Sequence, residues 1–152
     1  SIQYVPMDKT MEQPFRNYVT ICKQGILLPN RIFKKSSKPK ISIIIPMYNE
    51  AKNAQFAIRT IQNQNLQDLE IVCVNDNSND DTLKVLEKLQ EEDPRITILT
   101  NKSNRGVIYN RIYGSLMSKG EYITFIDADD GFCNMKIYKL LMILPQRSTE
   151  KK

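Results

Sequence analysis

Asp127, Asp129 and Asp130 fall within four consecutive residues, and Gly131 follows them. Carboxylates this close repel one another, by about 1 kcal/mol for a pair 4 Å apart in water. A divalent cation relieves that repulsion, and hard cations such as Mg²⁺ take oxygen ligands. The cluster therefore reads as a metal site. Asp and Gly are also common turn residues, so an acidic surface turn is the other reading. The run before the cluster, Ile123-Thr124-Phe125-Ile126, is short and apolar, as in a buried strand. The acidic residues then stand at that strand's carboxyl end, where open α/β sheets place their ligands.

Two more polar turns follow short apolar runs. Ile41-Ser42-Ile43-Ile44-Ile45 is β-branched and is expected to be a strand that Pro46 stops, with Met47-Tyr48-Asn49-Glu50 after it. Leu69-Glu70-Ile71-Val72-Cys73-Val74 is a second strand, and Asn75-Asp76-Asn77-Ser78 follows. Residues 96–99 make a third strand and 122–126 a fourth. Apolar residues at helical spacing lie between them. Asn49 is placed to cap a helix over 50–64. Ser78 and Asp81 form a variant capping box that opens a helix with Val85, Leu86 and Leu89 inward. A helix over 107–119 is expected to turn Ile108, Ile112 and Ser115 or Leu116 inward, with Gly120 just past its end. A last helix, 134–144, stops at Pro145.

Alternating strands and helices with short connections imply right-handed crossovers and an α/β, Rossmann-like, mostly parallel sheet with flanking helices. The turns after the first, second and fourth strands then share one edge of that sheet, which makes a ligand site. The domain is expected over 41–145, with a polar tail over 146–152 and an N-terminal extension over 1–40. Within the extension, Phe15, Tyr18, Val19 and Cys22 have helical spacing. Arg31, Lys34, Lys35, Lys38 and Lys40 read as a solvated, mobile basic linker.

Composition narrows the function. The 152 residues are 41% hydrophobic and 26% charged, as in a globular domain with a real core. The net charge of +5 equals that of the basic linker alone, so no nucleic-acid surface is indicated. The chain has no His, which removes the commonest general base. Cys22, Cys73 and Cys133 are widely spaced and odd in number, which suits a reducing compartment, the cytoplasm or the cytoplasmic face of a membrane. Cys73 reads as a small core residue.

Four motifs in register resemble glycosyltransferase family 2, which has the A-type nucleotide-sugar fold. They are Ser42-Ile43-Ile44-Ile45-Pro46-Met47-Tyr48-Asn49-Glu50, Val74-Asn75-Asp76-Asn77-Ser78-Asn79-Asp80-Asp81-Thr82, Asn104-Arg105-Gly106 with Arg111 and Gly114, and the stretch from Gly120 to Asp130 that matches the family's DxD region. The match covers about residues 40 to 140. The resemblance implies a nucleotide-diphosphate sugar donor, commonly a UDP-sugar, and inverting transfer to an acceptor hydroxyl. Asp76 can accept from a ring N–H, and the resemblance places it at uracil-type recognition. Pro46 and Tyr48 would shape the loop around the base. Glu50 can reach base or ribose, or serve as first-turn helix charge. Asp127 and Asp129 would hold Mn²⁺ or Mg²⁺, with Asp129 coordinating directly and Asp127 nearer the ribose. Arg111 suits a phosphate or is a surface arginine. Arg105 and Lys102 read as loop charges.

The chain also departs from the family. Asn75 stands where an acidic residue is common, and Ile112 where asparagine is common. After Asp130 the only side-chain carboxylate is Glu150, which nothing positions, so no catalytic base is assigned. The expectation is the donor half of a glycosyltransferase, apparently truncated before the acceptor half. The acceptor (glycan, lipid or protein), membrane association of the parent protein and oligomeric state stay open. A non-catalytic nucleotide-sugar-binding module is the alternative, and an interaction domain that uses the basic arm is the third.

Overall fold

The computed structural model describes residues 9–131. Among them run α1 (Lys9–Lys23), β1 (Ile41–Met47), α2 (Ala54–Gln62), β2 (Leu69–Asn75), α3 (Thr82–Glu92), β3 (Ile96–Thr100), α4 (Val107–Met117) and β4 (Tyr122–Phe125). The strands form one wholly parallel sheet in the order β3-β2-β1-β4. This is the expected α/β architecture. The helix expected over 134–144, Cys133, Glu150 and the polar tail lie outside the described residues.

Central β1 is covered on both faces, which is why it reads as a near-continuous apolar run broken only by buried Ser42. Ile41, Ile43, Ile45 and Met47 pack with Ile58 and Ile61 of α2 and Leu86 and Leu89 of α3. Ile44 points the other way and joins Val72, Val74 and Leu99, with Tyr113 of α4 against them. Gly114 lets α4 lie close, since a Cβ there would come within 2.6 Å of Ile44 Cγ2. α1 leans on α2 through Phe15, Tyr18, Val19, Cys22 and Phe56. Burial pushes the Cys73 thiol up to about 12, with Asp93 adding to the effect, so it is an inert core residue.

Four local expectations are corrected. Pro46 does not stop β1, which continues to Met47. Pairing with β4 ends at Ile44 and Phe125, so the N–H that proline lacks has no β4 partner to lose. The next helix starts at Ala54 rather than Glu50. Asn49 has φ 54° and caps nothing, because residues 51–53 make a separate turn first. Ser78 is likewise no capping residue of α3; its hydroxyl accepts from the Asn49 N–H at 3.0 Å.

The largest correction is the face of α4. Asn110 and Gly114 face the sheet, while Ile108 is 76% exposed, Ile112 57% and Leu116 78%. The close approach to β1 selects a small residue and a polar one, so the apolar spacing marks the outer face. Gly120 also has a different reason from helix termination: a Cβ there would meet Ser42 Oγ at 2.4 Å. Finally, Arg31, Phe33 and Lys40 of the basic segment touch the rest of the domain, while Lys34, Lys35 and Lys38 are exposed. Arg31 donates to the Asn63 carbonyl at 3.1 Å, the Arg95 guanidinium lies 4.4 Å from the Phe33 ring, and Lys40 pairs with Glu121 at 3.1 Å.

Candidate active site

The chain runs β1, β2, β3 outward and then returns to place β4 on the other side of β1. The strand order therefore reverses at β1, and such a switch point opens a crevice at the carboxyl ends of the strands. A cleft of about 420 Å³ lies there, walled by the turns after β1 and β4, by Asp76 and by the start of α4.

The β1 turn and the β2 turn are laced together. Asn49 Oδ1 accepts from the Asn79 N–H at 2.8 Å, Thr82 Oγ1 from the Glu50 N–H at 2.8 Å, and Asp80 Oδ2 from the Ala51 N–H at 3.2 Å. The Thr82 hydroxyl also donates to Asp80, and that bond is the main cause holding the Asp80 carboxyl below its ordinary range. Left-handed Asn49 and Asn77 turn the chain tightly enough for this lacing. Tyr48, Pro46 and Glu50 are thereby presented to the cleft. The Glu50 carboxylate accepts from the Asn53 amide at 2.9 Å and so also supports its own turn.

Asp76 is 3% exposed and is the most constrained acid of the cleft. Its Oδ1 accepts from the Asn101 amide at 2.8 Å and the Arg105 N–H at 2.7 Å, and its Oδ2 from the Gly106 N–H at 2.9 Å. Burial pushes this carboxyl up, but the bonds from Asn101, Arg105 and Gly106 outweigh that and hold it below its ordinary value. A carboxylate has about four lone-pair positions. Three are used by these bonds, and the Asn110 side chain adds a further hydrogen bond that lowers the carboxyl. Asn101 and Asn110, joined at 2.7 Å, complete this wiring. Neither is singled out by the sequence reading, and a buried asparagine on the sheet face of α4 is the one local signal that marks Asn110.

The acidic turn is positioned by alternation. Ile126 and Ala128 are buried, while Asp127, Asp129 and Asp130 are exposed. The Asp127 carbonyl accepts from the Asp130 N–H at 3.1 Å and the Gly131 N–H at 2.8 Å, which closes the turn. Gly131 has φ 53°, and a Cβ there would meet Thr60 Oγ1 at 2.8 Å. Glycine is therefore required for both conformation and space. The three carboxylates each offer an oxygen, and these oxygens lie within 4.8 Å of one another. An all-oxygen, exposed set of this kind fits a hard divalent cation that keeps some of its waters.

Pro46, Tyr48, Glu50, Asp76, Asp127 and Asp129 all line the one cleft. Arg111 does not line it. Its guanidinium reaches Asp127 Oδ1 at 3.5 Å and lies 5.8 Å from the Phe125 ring. Asn104, Gly106, Val107 and Asn110 also line the cleft, which puts the first turn of α4 on its wall.

The model of the glycosyl transferase family 2 domain matches residues 42–148. A GalNAc(5)-diNAcBac-PP-undecaprenol beta-1,3-glucosyltransferase of Campylobacter jejuni is 42% identical over 93 residues, 60% of this chain and 30% of that protein. Among solved structures, S. aureus TarS 1-349 in complex with UDP superposes with a TM-score of 0.53 at 26% identity, covering 59% of this chain and 27% of that one. Mannosyltransferase PcManGT from Pyrobaculum calidifontis, in complex with GDP-Man and Mn²⁺, superposes with a TM-score of 0.57 over 85% of this chain and 41% of that one. At 22% identity this last likeness concerns the fold alone. The chain thus spans under a third of the length of the Campylobacter protein.

Proposed function

This chain belongs to glycosyl transferase family 2, and on that footing we propose that it carries the donor half of a sugar-transfer site. The donor is a nucleotide-diphosphate sugar, in first place a UDP-sugar, and the full reaction is inverting transfer to an acceptor hydroxyl. The observation that carries the reading is the meeting of the Asp127 and Asp129 carboxylates, with Asp130 beside them, and Asp76 and Tyr48 around one cleft.

Each side chain then has a chemical task. The Tyr48 ring and Pro46 flank the base. Asp76, which lines the cleft, accepts a ring N–H, such as that of uracil. Because Asp76 is already ionised and held by three bonds, it needs no reorganisation to do so. Glu50 faces the ribose. Asp129 and Asp127, with Asp130 beside them, would hold Mn²⁺ or Mg²⁺, which neutralises charge on a departing diphosphate. Arg111 steadies Asp127 and stands ready to pair with a phosphate oxygen.

The test is calorimetric titration with UDP, with and without Mn²⁺. Binding is expected only with the metal and is expected to vanish in Asp129→Ala. Failure of UDP and of other nucleoside diphosphates to bind under both conditions would sink the reading. A second reading, donor binding without turnover, draws on the cleft itself: Glu50, Asp76, Asp127 and Asp129 all have donor-side positions, which leaves none for the base that deprotonates an acceptor. Incubation with UDP-sugars separates the two, since release of free sugar or transfer requires a positioned base.

The acceptor is proposed as a glycan, lipid or protein hydroxyl. The printed name of the Campylobacter relative contains a lipid diphosphate, so lipid-linked sugars are the first acceptors to assay. No helix among the described residues is long and apolar enough to cross a membrane. Buried, unpaired Cys22 and Cys73 support a reducing location, the cytoplasm or a cytoplasmic membrane face.

A further inference from the structure

The loop over 101–106 has two sides. Its inner side gives the Arg105 and Gly106 N–H groups to Asp76 in the donor cleft. Its outer side borders a second depression, of about 310 Å³, between the end of β3 and the start of α4. Thr100, Lys102, Ser103, Arg105, Tyr109 and Tyr113 line that depression, and no acidic residue does. From this geometry we infer that the outer depression is a second binding site, for an anionic sugar bearing a phosphate or carboxylate.

Three features carry the inference. First, two cations converge with no counter-charge. Among the described residues neither Lys102 nor Arg105 forms an ion pair. Second, Arg105 is held in place without being neutralised. Its backbone N–H is fixed on Asp76, and its guanidinium lies 4.8 Å from the Tyr109 ring. A guanidinium held this way presents its forked N–H donors to a phosphate or carboxylate. Third, the Tyr109 and Tyr113 rings stand 6.0 Å apart at 47°. That is a corner rather than a parallel slot, so it does not sandwich a flat nucleobase. A puckered sugar ring fits a corner, and the hydroxyls of Thr100, Ser103 and the two tyrosines can meet its hydroxyl groups.

The site stands independently of the donor cleft. It shares the loop but none of the carboxylates that would hold a metal. It needs no metal and no nucleotide.

The experiment is calorimetric titration of the whole chain, without added metal, using glucose 6-phosphate, glucuronate, glucose and inorganic phosphate. Glucose 6-phosphate or glucuronate is expected to bind at least tenfold more tightly than glucose and than inorganic phosphate. The arm that binds tells phosphate from carboxylate. Lys102→Ala/Arg105→Ala is expected to weaken that binding at least tenfold, Tyr109→Ala at least threefold, and Tyr48→Ala in the donor cleft by less than twofold. The substituted side chains are exposed, and unchanged thermal unfolding verifies that the variants fold. Arg105→Lys is expected to recover part of the affinity. No binding of either anionic sugar, equal binding of glucose or phosphate, or loss in Tyr48→Ala but not in the double variant would each overturn the inference. None of these results depends on whether UDP binds with Mn²⁺, so the two readings fail separately.

Discussion

The two ends of the cleft solve the same problem, holding negative charge, in opposite ways. At the buried end, Asp76 is 3% exposed and already takes three hydrogen bonds from the loop over 101–106. At the exposed end, Asp127, Asp129 and Asp130 face solvent, and their oxygens crowd within 4.8 Å. The first carboxylate is finished before any ligand arrives, and it also builds the wall it belongs to. The other three are held by their backbone and, at Asp127, by the Arg111 guanidinium, and stay mutually repulsive. One end should therefore resist substitution through stability, and the other through binding.

The largest expected effect follows from that contrast. Asp76→Ala strands the Asn101 amide and the two backbone N–H groups. Each unsatisfied buried donor costs about 1–3 kcal/mol, and partial access of water to the loop lowers the sum to about 3 kcal/mol. For a chain of this size that lowers the unfolding midpoint by roughly ten degrees. UDP binding should be lost with it. Asp129→Ala should abolish metal-dependent UDP binding as fully while leaving the midpoint within about two degrees of the parent, as for a surface substitution. Differential scanning calorimetry beside UDP titration measures both. If the two variants had equal midpoints, the contrast would fall.

Acid should sharpen the same distinction. The Asp76 carboxyl is held below its ordinary value of 3.8 in the folded chain. A group depressed on folding binds its proton more readily when unfolded, so stability rises with pH through that range. Its contribution is complete above the ordinary value and is lost as pH falls below it, through the lowered folded value. Urea unfolding from pH 5 downward should show that loss. Asp76→Asn should start less stable at pH 5 and lose less on acidification. Asp80 is shifted the same way and keeps part of the slope in that variant.

What could be read from the residues alone follows the same division. The strands were legible because β1 and β2 are buried on both faces and carry short, mostly apolar runs rich in Ile and Val. The turns were legible as polar breaks between them, and the order of the strands brings them to one edge. Contacts between turns were not legible, because nothing local to Asn49 or Ser78 tells a helix cap from a bond across two loops. The outer face of α4 misled for a related reason. Ile108, Ile112 and Leu116 have the period of a buried stripe, but close packing on Ile44 assigned the inner face to Asn110 and Gly114. Helical period gives a stripe and not its direction when the true contact face is made of small and polar residues.

The smallest effect tests the link between the two ends. Arg111 pairs with Asp127 at 3.5 Å, with side chains 42% and 56% exposed. Exposed pairs of this kind contribute about 0.2–1 kcal/mol and are screened by salt. Arg111→Ala should therefore barely change the unfolding midpoint. It leaves the acidic corner more negative, so Mn²⁺ alone should bind the ligand-free chain about 1.4- to fivefold more tightly, which is that energy range expressed as an affinity ratio. UDP in the presence of Mn²⁺ should bind more weakly, because a phosphate partner is gone. Opposite signs for the metal and for the nucleotide mean that Arg111 serves the carboxylate in one state and the diphosphate in the other. The same sign for both would leave Arg111 as a surface arginine resting on Phe125 and would confine the donor contacts to the residues that line the cleft.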